Sequence, residues 1–101
     1  MNHEEKLKLF AEVLESAQIK HLKDNHLDCQ ANINNAHVSI KPGNKYTKID
    51  VGNSGKYMVE NSTGNIFGIK AYGVIHRGHQ YGTLNTINDW NWEEYTAIPK
   101  R

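Results

Sequence analysis

The first apolar pattern along the chain has a helical period. Apolar residues recur every three or four positions, with charged residues mostly between them: Leu7, Phe10, Ala11, Leu14 and Ala17. Asn2 is a candidate N-cap, and Glu4 and Glu5 lie where the positive end of the helix dipole favours acids. The pattern predicts an amphipathic helix near residues 3–17, continuing to about residue 24, whose apolar face covers a sheet.

A period of two replaces the helical period further along the chain. Residues 28–36 are Asn-rich and predict a loop, and residues 37–41 predict a short strand before the turn at Pro42 and Gly43. Residues 45–51 alternate, and residues 56–60 and 66–72 predict two further strands. Gly64 fits a left-handed hairpin position, and Gly68 indicates a bulge or a close backbone approach. Residues 37–72 therefore predict an antiparallel meander of three to four strands.

The last part of the chain, residues 73–101, is predicted to be loop and tail. Residues 73–82 have the composition of a loop or irregular extended segment. Asp89 can cap a short helical turn, with Glu93 and Glu94 near its start. We expect the large aromatic side chains of the tail to clamp it against the sheet: Trp90, Trp92 and Tyr95. The chain is predicted to be one α+β domain over residues 1–101.

Composition narrows the cellular setting. Cys29 is the only cysteine, so an intrachain disulfide is impossible and a reducing compartment is expected. Glu4 and Glu5 stand where a signal peptide has basic residues, and no apolar run has the length of a membrane span. The sequence predicts a cytoplasmic protein with no membrane partner and no cofactor.

Charge is unevenly distributed along the chain. The whole sequence carries a net charge of +1, but residues 36–84 hold six cations against two acids. A basic middle between acidic ends indicates an anionic partner, although solubilising lysines on an exposed sheet face give the same pattern.

Residues 72–83 concentrate the groups that bind phosphate and bases. Glycines let backbone N–H groups turn toward an anion, arginine offers a planar fork, and tyrosines offer faces for stacking. The candidate phosphate-binding residues are Lys45, Lys48, Lys56, Lys70, His76, Arg77 and His79. The candidate stacking residues are Tyr46, Tyr72 and Tyr81. A polar loop with packed tyrosines is the structural alternative.

Metal binding and catalysis have less support. His26 and Cys29, and His76 and His79, have the spacing of zinc-ligand pairs, but the two pairs lie far apart in the sequence. No nucleotide-binding, zinc-protease or serine-hydrolase motif occurs. A histidine pair beside an arginine can still perform acid–base chemistry on a phosphodiester, which keeps a small hydrolase as an alternative.

The chain resembles small accessory proteins of phages and prophages over roughly residues 40–85. The resemblance is carried by K-Y-x-K-I at residues 45–49, by S-x-x-Y-M-V-x-x-x-T-G-x-I-F at residues 54–67, and by Y-G-T-L at residues 81–84. It implies a phage-encoded protein acting in the host cytoplasm, as a nucleic-acid binder or as an inhibitor of host defence such as an anti-CRISPR. It brings no enzymatic residues. Defence inhibitors that mimic DNA are strongly acidic, and this chain differs from them because it is not acidic.

Three functional hypotheses follow. The first is a non-enzymatic binding module for nucleic acid or a nucleotide, with a role in counter-defence. The second is a protein–protein inhibitor of a host defence complex that uses the sheet or the C-terminal aromatics. The third is a phosphodiester hydrolase using His76 and His79. A thin core in a small chain also makes a homodimer an expectation.

Overall fold

The computed structural model describes residues 2–52, 54–71, 74–92 and 97–99. Within them the chain forms two α-helices, a 3-10 turn and seven strands, which together make an α+β fold. The helices are α1 (His3–Asp24) and α2 (Gln30–Asn35). The main sheet contains β1 (Val38–Lys41), β2 (Tyr46–Val51), β3 (Ser54–Glu60), β4 (Asn65–Ala71) and β5 (Val74–Thr83). The 3-10 turn Ile87–Asp89 precedes the short pair β6 (Trp90–Asn91) and β7 (Ile98–Pro99).

Helix α1 begins and ends where its sequence indicates. The Asn2 side chain accepts a hydrogen bond of 2.8 Å from the backbone N–H of Glu5, which satisfies one free donor of the first turn. The helix buries Leu7, Phe10 and Leu14, which lie three and four residues apart on one face. It ends before Asn25, whose side chain donates to the carbonyl of His21. The predicted amphipathic helix is confirmed.

The main sheet is an antiparallel meander with the strand order β1-β2-β3-β4-β5. Two glycines with positive φ make its tight connections: Gly52 (φ 61°) between β2 and β3, and Gly64 (φ 77°) between β3 and β4. The left-handed position predicted for Gly64 is confirmed. The bulge predicted at Gly68 is also confirmed, because the pairing of β4 with β5 shifts between Phe67 and Gly68.

The sheet has one strand more than the sequence predicted. Residues 74–83, predicted as loop, form β5 along the edge of β4. Their glycines are tolerated because this edge strand is irregular: Phe67 pairs with Gln80 while Gly68 pairs with His76. Residues 77–79 therefore bulge out of the ladder.

Two other local predictions were wrong. Residues 30–35 form α2, because backbone bonds such as Ile33 N to Cys29 O close a helical turn in the Asn-rich segment. Asp89 does not cap a helix, since it ends the 3-10 turn and β6 follows at once. Glu93, Glu94 and Tyr95 lie outside the described residues, as do Asn53 in the β2–β3 turn and Tyr72 and Gly73.

The core lies between α1, one face of the sheet and the C-terminal segment. Trp92 is buried and meets Phe10 edge-on with ring centroids 4.9 Å apart, and it meets Tyr57 at 5.4 Å. Its indole N–H donates to the Ile87 carbonyl, and its own carbonyl accepts from Gln18 of α1. The prediction that Trp92 holds the tail on the sheet is confirmed. Trp90 is half-buried and packs beside Tyr81 with ring centroids 5.8 Å apart.

Candidate nucleic-acid interface

The register of the sheet defines a row of side chains on the face opposite the helix. Residues directly opposite one another in an antiparallel pair point to the same side. The pairings join Lys41, Lys48, Met58, Phe67 and Gln80 across all five strands. The neighbouring core row contains Ile40, Ile49 and Tyr57. With about 4.8 Å between neighbouring strands, the row from Lys41 to Gln80 spans about 19 Å. We call the side of the sheet that carries this row the open face.

The cationic end of the open face lies on β1 and β2. Lys41 and Lys48 are directly opposite one another, an arrangement that is unfavourable for two like charges. The carboxylate of Asp50 balances them in part, since its Oδ2 lies 3.1 Å from Lys41 Nζ. Asp50 is itself buried, so this acid neutralises charge without projecting into solvent.

The middle of the open face is apolar. Met58 and Phe67 are cross-strand partners, and each is only 6% exposed. No described helix packs over them, because α1 lies on the other side of the sheet. Long side chains can shield such apolar surface with their stems while their charged ends stay in water.

Arg77 is one of these covering side chains. Its guanidinium carbon lies 6.0 Å from the centre of the Phe67 ring, and its Nη2 donates a hydrogen bond to the Tyr46 hydroxyl. The same carbon lies 5.8 Å from the centre of the Tyr46 ring. Lys45 Nζ lies 5.7 Å from that ring. Residues that are 31 positions apart in the sequence therefore form one cluster of two cations and two aromatic rings.

Two other predicted cations lie elsewhere. Lys56 occupies the bulge in β3 that faces Ile49 and Asp50, where burial lowers the pKa of its ammonium group. Lys70 is exposed near the end of β4, three residues beyond Phe67, where the pairing with β5 is irregular.

The histidine pair lies on the core side of the sheet. A Cβ built on Gly68 would meet the Cβ of His79 and the ring of Tyr81, each at 3.3 Å. His76 and His79 stack with ring centroids 4.0 Å apart, and the buried Nδ1 of His76 has no hydrogen-bond partner within the described part of the chain. Because Arg77 reaches the open face, the structure separates it from the two histidines. A hydrolase that uses His76 and His79 stays a prediction.

The predicted stacking residues have different environments. Tyr46 is half-buried on the open face, whereas Tyr81 is buried in the core and meets Tyr57 and Trp90 edge-on. Tyr72 lies outside the described residues. Sequence reasoning missed Phe67 as an open-face aromatic. The available signal was the alternation of side chains along the hairpin. It places Met58 and Phe67 on one face of the sheet and the core residues Val59 and Ile66 on the other face.

Among the described residues, no group of three or more His, Cys, Asp or Glu side chains is placed to hold a metal ion. None of the helices in this part of the chain is both long enough and apolar enough to cross a membrane. No family model, curated protein or solved structure matches the chain.

Proposed function

We propose that the protein is a non-enzymatic module that binds the phosphates of a nucleic acid or nucleotide on the open face. The observation that carries the proposal is the cluster of Lys45, Tyr46, Phe67 and Arg77. It combines a planar guanidinium, a second cation and aromatic rings, which are the groups that nucleic-acid-binding surfaces combine.

Charge on this side of the sheet supports the same ligand class. Lys41 lies about three interstrand spacings from Phe67 along the row and Lys48 lies about two, and the Asp50 carboxylate contacts Lys41. A ligand with several phosphates can contact both ends of the row together. A single phosphate can contact only one end.

The biological setting that we propose comes from the sequence resemblance. It is a phage-encoded protein that acts in the host cytoplasm against a defence system. A binder of guide nucleic acid or of a nucleotide signal fits both that setting and the basic open face. The burial of Trp92 in the core supports a binding surface on the sheet rather than on the C-terminal aromatics.

The test is a fluorescence-anisotropy titration with labelled 12-nucleotide single-stranded DNA, the same sequence as a duplex, matched RNA, and fluorescent cyclic nucleotides. For three or four phosphate contacts, log affinity for a single strand falls with log salt at a slope of about 2 to 3. The affinity is therefore expected to fall roughly 15- to 60-fold between 50 and 200 mM NaCl.

Variants locate the binding surface. We expect Arg77→Ala and Lys48→Ala each to weaken binding by about five- to tenfold through a lost phosphate contact. Lys23→Ala is the matched control, because it removes the same charge from an exposed position near the end of α1. That control should change the affinity less than twofold. Absence of saturable binding to every ligand at 50 mM NaCl would contradict the proposal and favour a protein partner.

A further inference from the structure

Phe67 occupies an unusual position for a large aromatic residue. It points to the open face, over which no described helix packs, yet it is almost fully buried. The described group over its ring is the guanidinium of Arg77, which the Tyr46 hydroxyl holds in place by accepting a hydrogen bond. Part of the Phe67 ring thus lies beneath a charged side chain that is itself exposed to solvent.

The backbone that carries Arg77 is not held by the sheet ladder. Residues 77–79 have no cross-strand partners in β4, because Gln80 pairs with Phe67 and His76 pairs with Gly68. Arg77 itself is exposed, and Gly78 follows it. The guanidinium can therefore change position without breaking the pairing of β4 with β5.

We propose that Phe67 is a stacking platform for an unpaired base, and that Arg77 covers it in the free protein and moves to a phosphate in the complex. A phosphate is a stronger partner for a guanidinium than an aromatic ring or a phenol, since it accepts two charge-assisted hydrogen bonds. The base then replaces the guanidinium over the ring, so Phe67 stays shielded from water. This inference rests on the proposed function and specifies its ligand as a single strand, because the base faces of a duplex are already stacked.

The first experiment compares two strands with identical phosphates. One is the labelled 12-nucleotide single-stranded DNA, and the other is the same length with abasic sites throughout. At 50 mM NaCl we expect the wild-type protein to bind the abasic strand about tenfold more weakly, which lies within the range measured for the loss of one base–aromatic stack. The duplex is expected to resemble the abasic strand.

Two variants assign the preference to Phe67. Phe67→Leu keeps an apolar side chain in contact with Met58 but removes the flat ring. The affinity for the base-bearing strand should therefore fall to the affinity for the abasic strand. Met58→Leu is the matched control: it changes the cross-strand partner on the same face and should leave the tenfold preference intact.

A measurement on the wild-type protein does not depend on the folding of a variant. The chain has two phenylalanines, Phe10 and Phe67, and Phe10 is fully buried in the core. In protein with isotope-labelled phenylalanine, the base-bearing strand should shift the ring signals of Phe67 upfield and leave those of Phe10 in place. The abasic strand should leave both signals nearly unchanged.

The outcomes separate the inference from the proposed function. Equal affinity for the base-bearing and abasic strands, with no selective shift of the Phe67 signals, would overturn the stacking platform and leave phosphate binding standing. A lack of binding to either strand would overturn both. A tenfold preference that survives Phe67→Leu in a folded variant would also overturn the role of Phe67.

Discussion

The rings of Tyr57 and Tyr81 meet edge-on in the centre of the core, with centroids 5.5 Å apart and planes at 83°. The hydroxyl of Tyr57 is buried there and has no hydrogen-bond partner among the residues that the structure describes. Burial, and to a smaller degree Tyr81, raises the pKa of the Tyr57 phenol. An unsatisfied hydroxyl in this position opposes folding, while the aromatic ring that carries it contributes to the core.

We therefore expect Tyr57→Phe to stabilise the protein. The change removes the unsatisfied hydroxyl and keeps the ring contacts, so the free energy of unfolding should rise by about 1 kcal/mol in urea denaturation. Tyr46→Phe is the control, because its hydroxyl accepts a bond from Arg77 on the open face. That change should leave stability the same or slightly lower. A loss of stability in Tyr57→Phe would show that its hydroxyl has a partner in solution.

The stability of the protein should also fall at alkaline pH. Burial raises the pKa of both Tyr57 and Tyr81 in the folded protein above the ordinary value of about 10. The unfolded chain therefore loses these protons first, and stability that is complete below pH 10 declines as the pH rises above it. Between pH 10 and 12, the free energy of unfolding should fall less steeply with pH in Tyr57→Phe than in the wild type, by up to about 1.4 kcal/mol per pH unit. The same pH dependence in Tyr57→Phe and the wild type would contradict a raised pKa of Tyr57 in the folded protein.

Asn61 joins the start of α1 to the β1–β2 connection. Its Oδ1 accepts a bond of 2.7 Å from the buried Thr47 hydroxyl and lies 3.3 Å from His3 Nε2. Its amide donates to the Gly43 and Asn44 carbonyls. We expect Asn61→Ala to lower the free energy of unfolding by about 2 to 3 kcal/mol, because it leaves the Thr47 hydroxyl buried without a partner.

A double-mutant cycle checks that explanation. Thr47→Val removes the hydroxyl that Asn61→Ala leaves unpaired, so the double variant should be more stable than the sum of the two single losses indicates. Additive losses in urea denaturation would show that Asn61 acts through its other bonds alone.

Gly82 supports the attachment of the C-terminal segment to β5. It has φ 72°, and a Cβ there would lie 2.5 Å from the indole nitrogen of Trp90. Gly82→Ala should therefore lower stability by at least about 2 kcal/mol, through backbone strain and the displacement of Trp90. A blue- or red-shifted tryptophan emission should accompany the loss.

Gly78→Ala is the matched comparison. Gly78 lies in the same strand, has no positive φ, and its Cβ would meet the His76 ring at 3.2 Å. A side-chain ring can shift by the few tenths of an ångström that this contact needs, so the change in stability should stay within about 1 kcal/mol. Equal losses of stability in Gly82→Ala and Gly78→Ala would show that the positive φ of Gly82 and its contact with Trp90 are not responsible for the loss.

Local sequence determined the elements whose signals do not depend on distant contacts. The helical period around Phe10, with Asn2 as its cap, gives α1, and Gly64 gives a hairpin because only glycine adopts its φ readily. Strand β5 could not be predicted in this way. Its glycines and polar residues are typical of a loop, and it becomes a strand because the edge of β4 supplies backbone partners for it.

The tertiary structure also decided which side chains share the open face. Arg77 and Tyr81 are four residues apart, so simple alternation puts them on the same side of a strand. The bulge at residues 77–79 changes the phase of β5 and sends Tyr81 into the core, while Arg77 crosses to Phe67 and Tyr46. The sequence by itself determined that cations and aromatic rings are concentrated in residues 45–83. Which of them meet depended on strand register, because a few extra residues in one strand reverse the side to which the following side chains point.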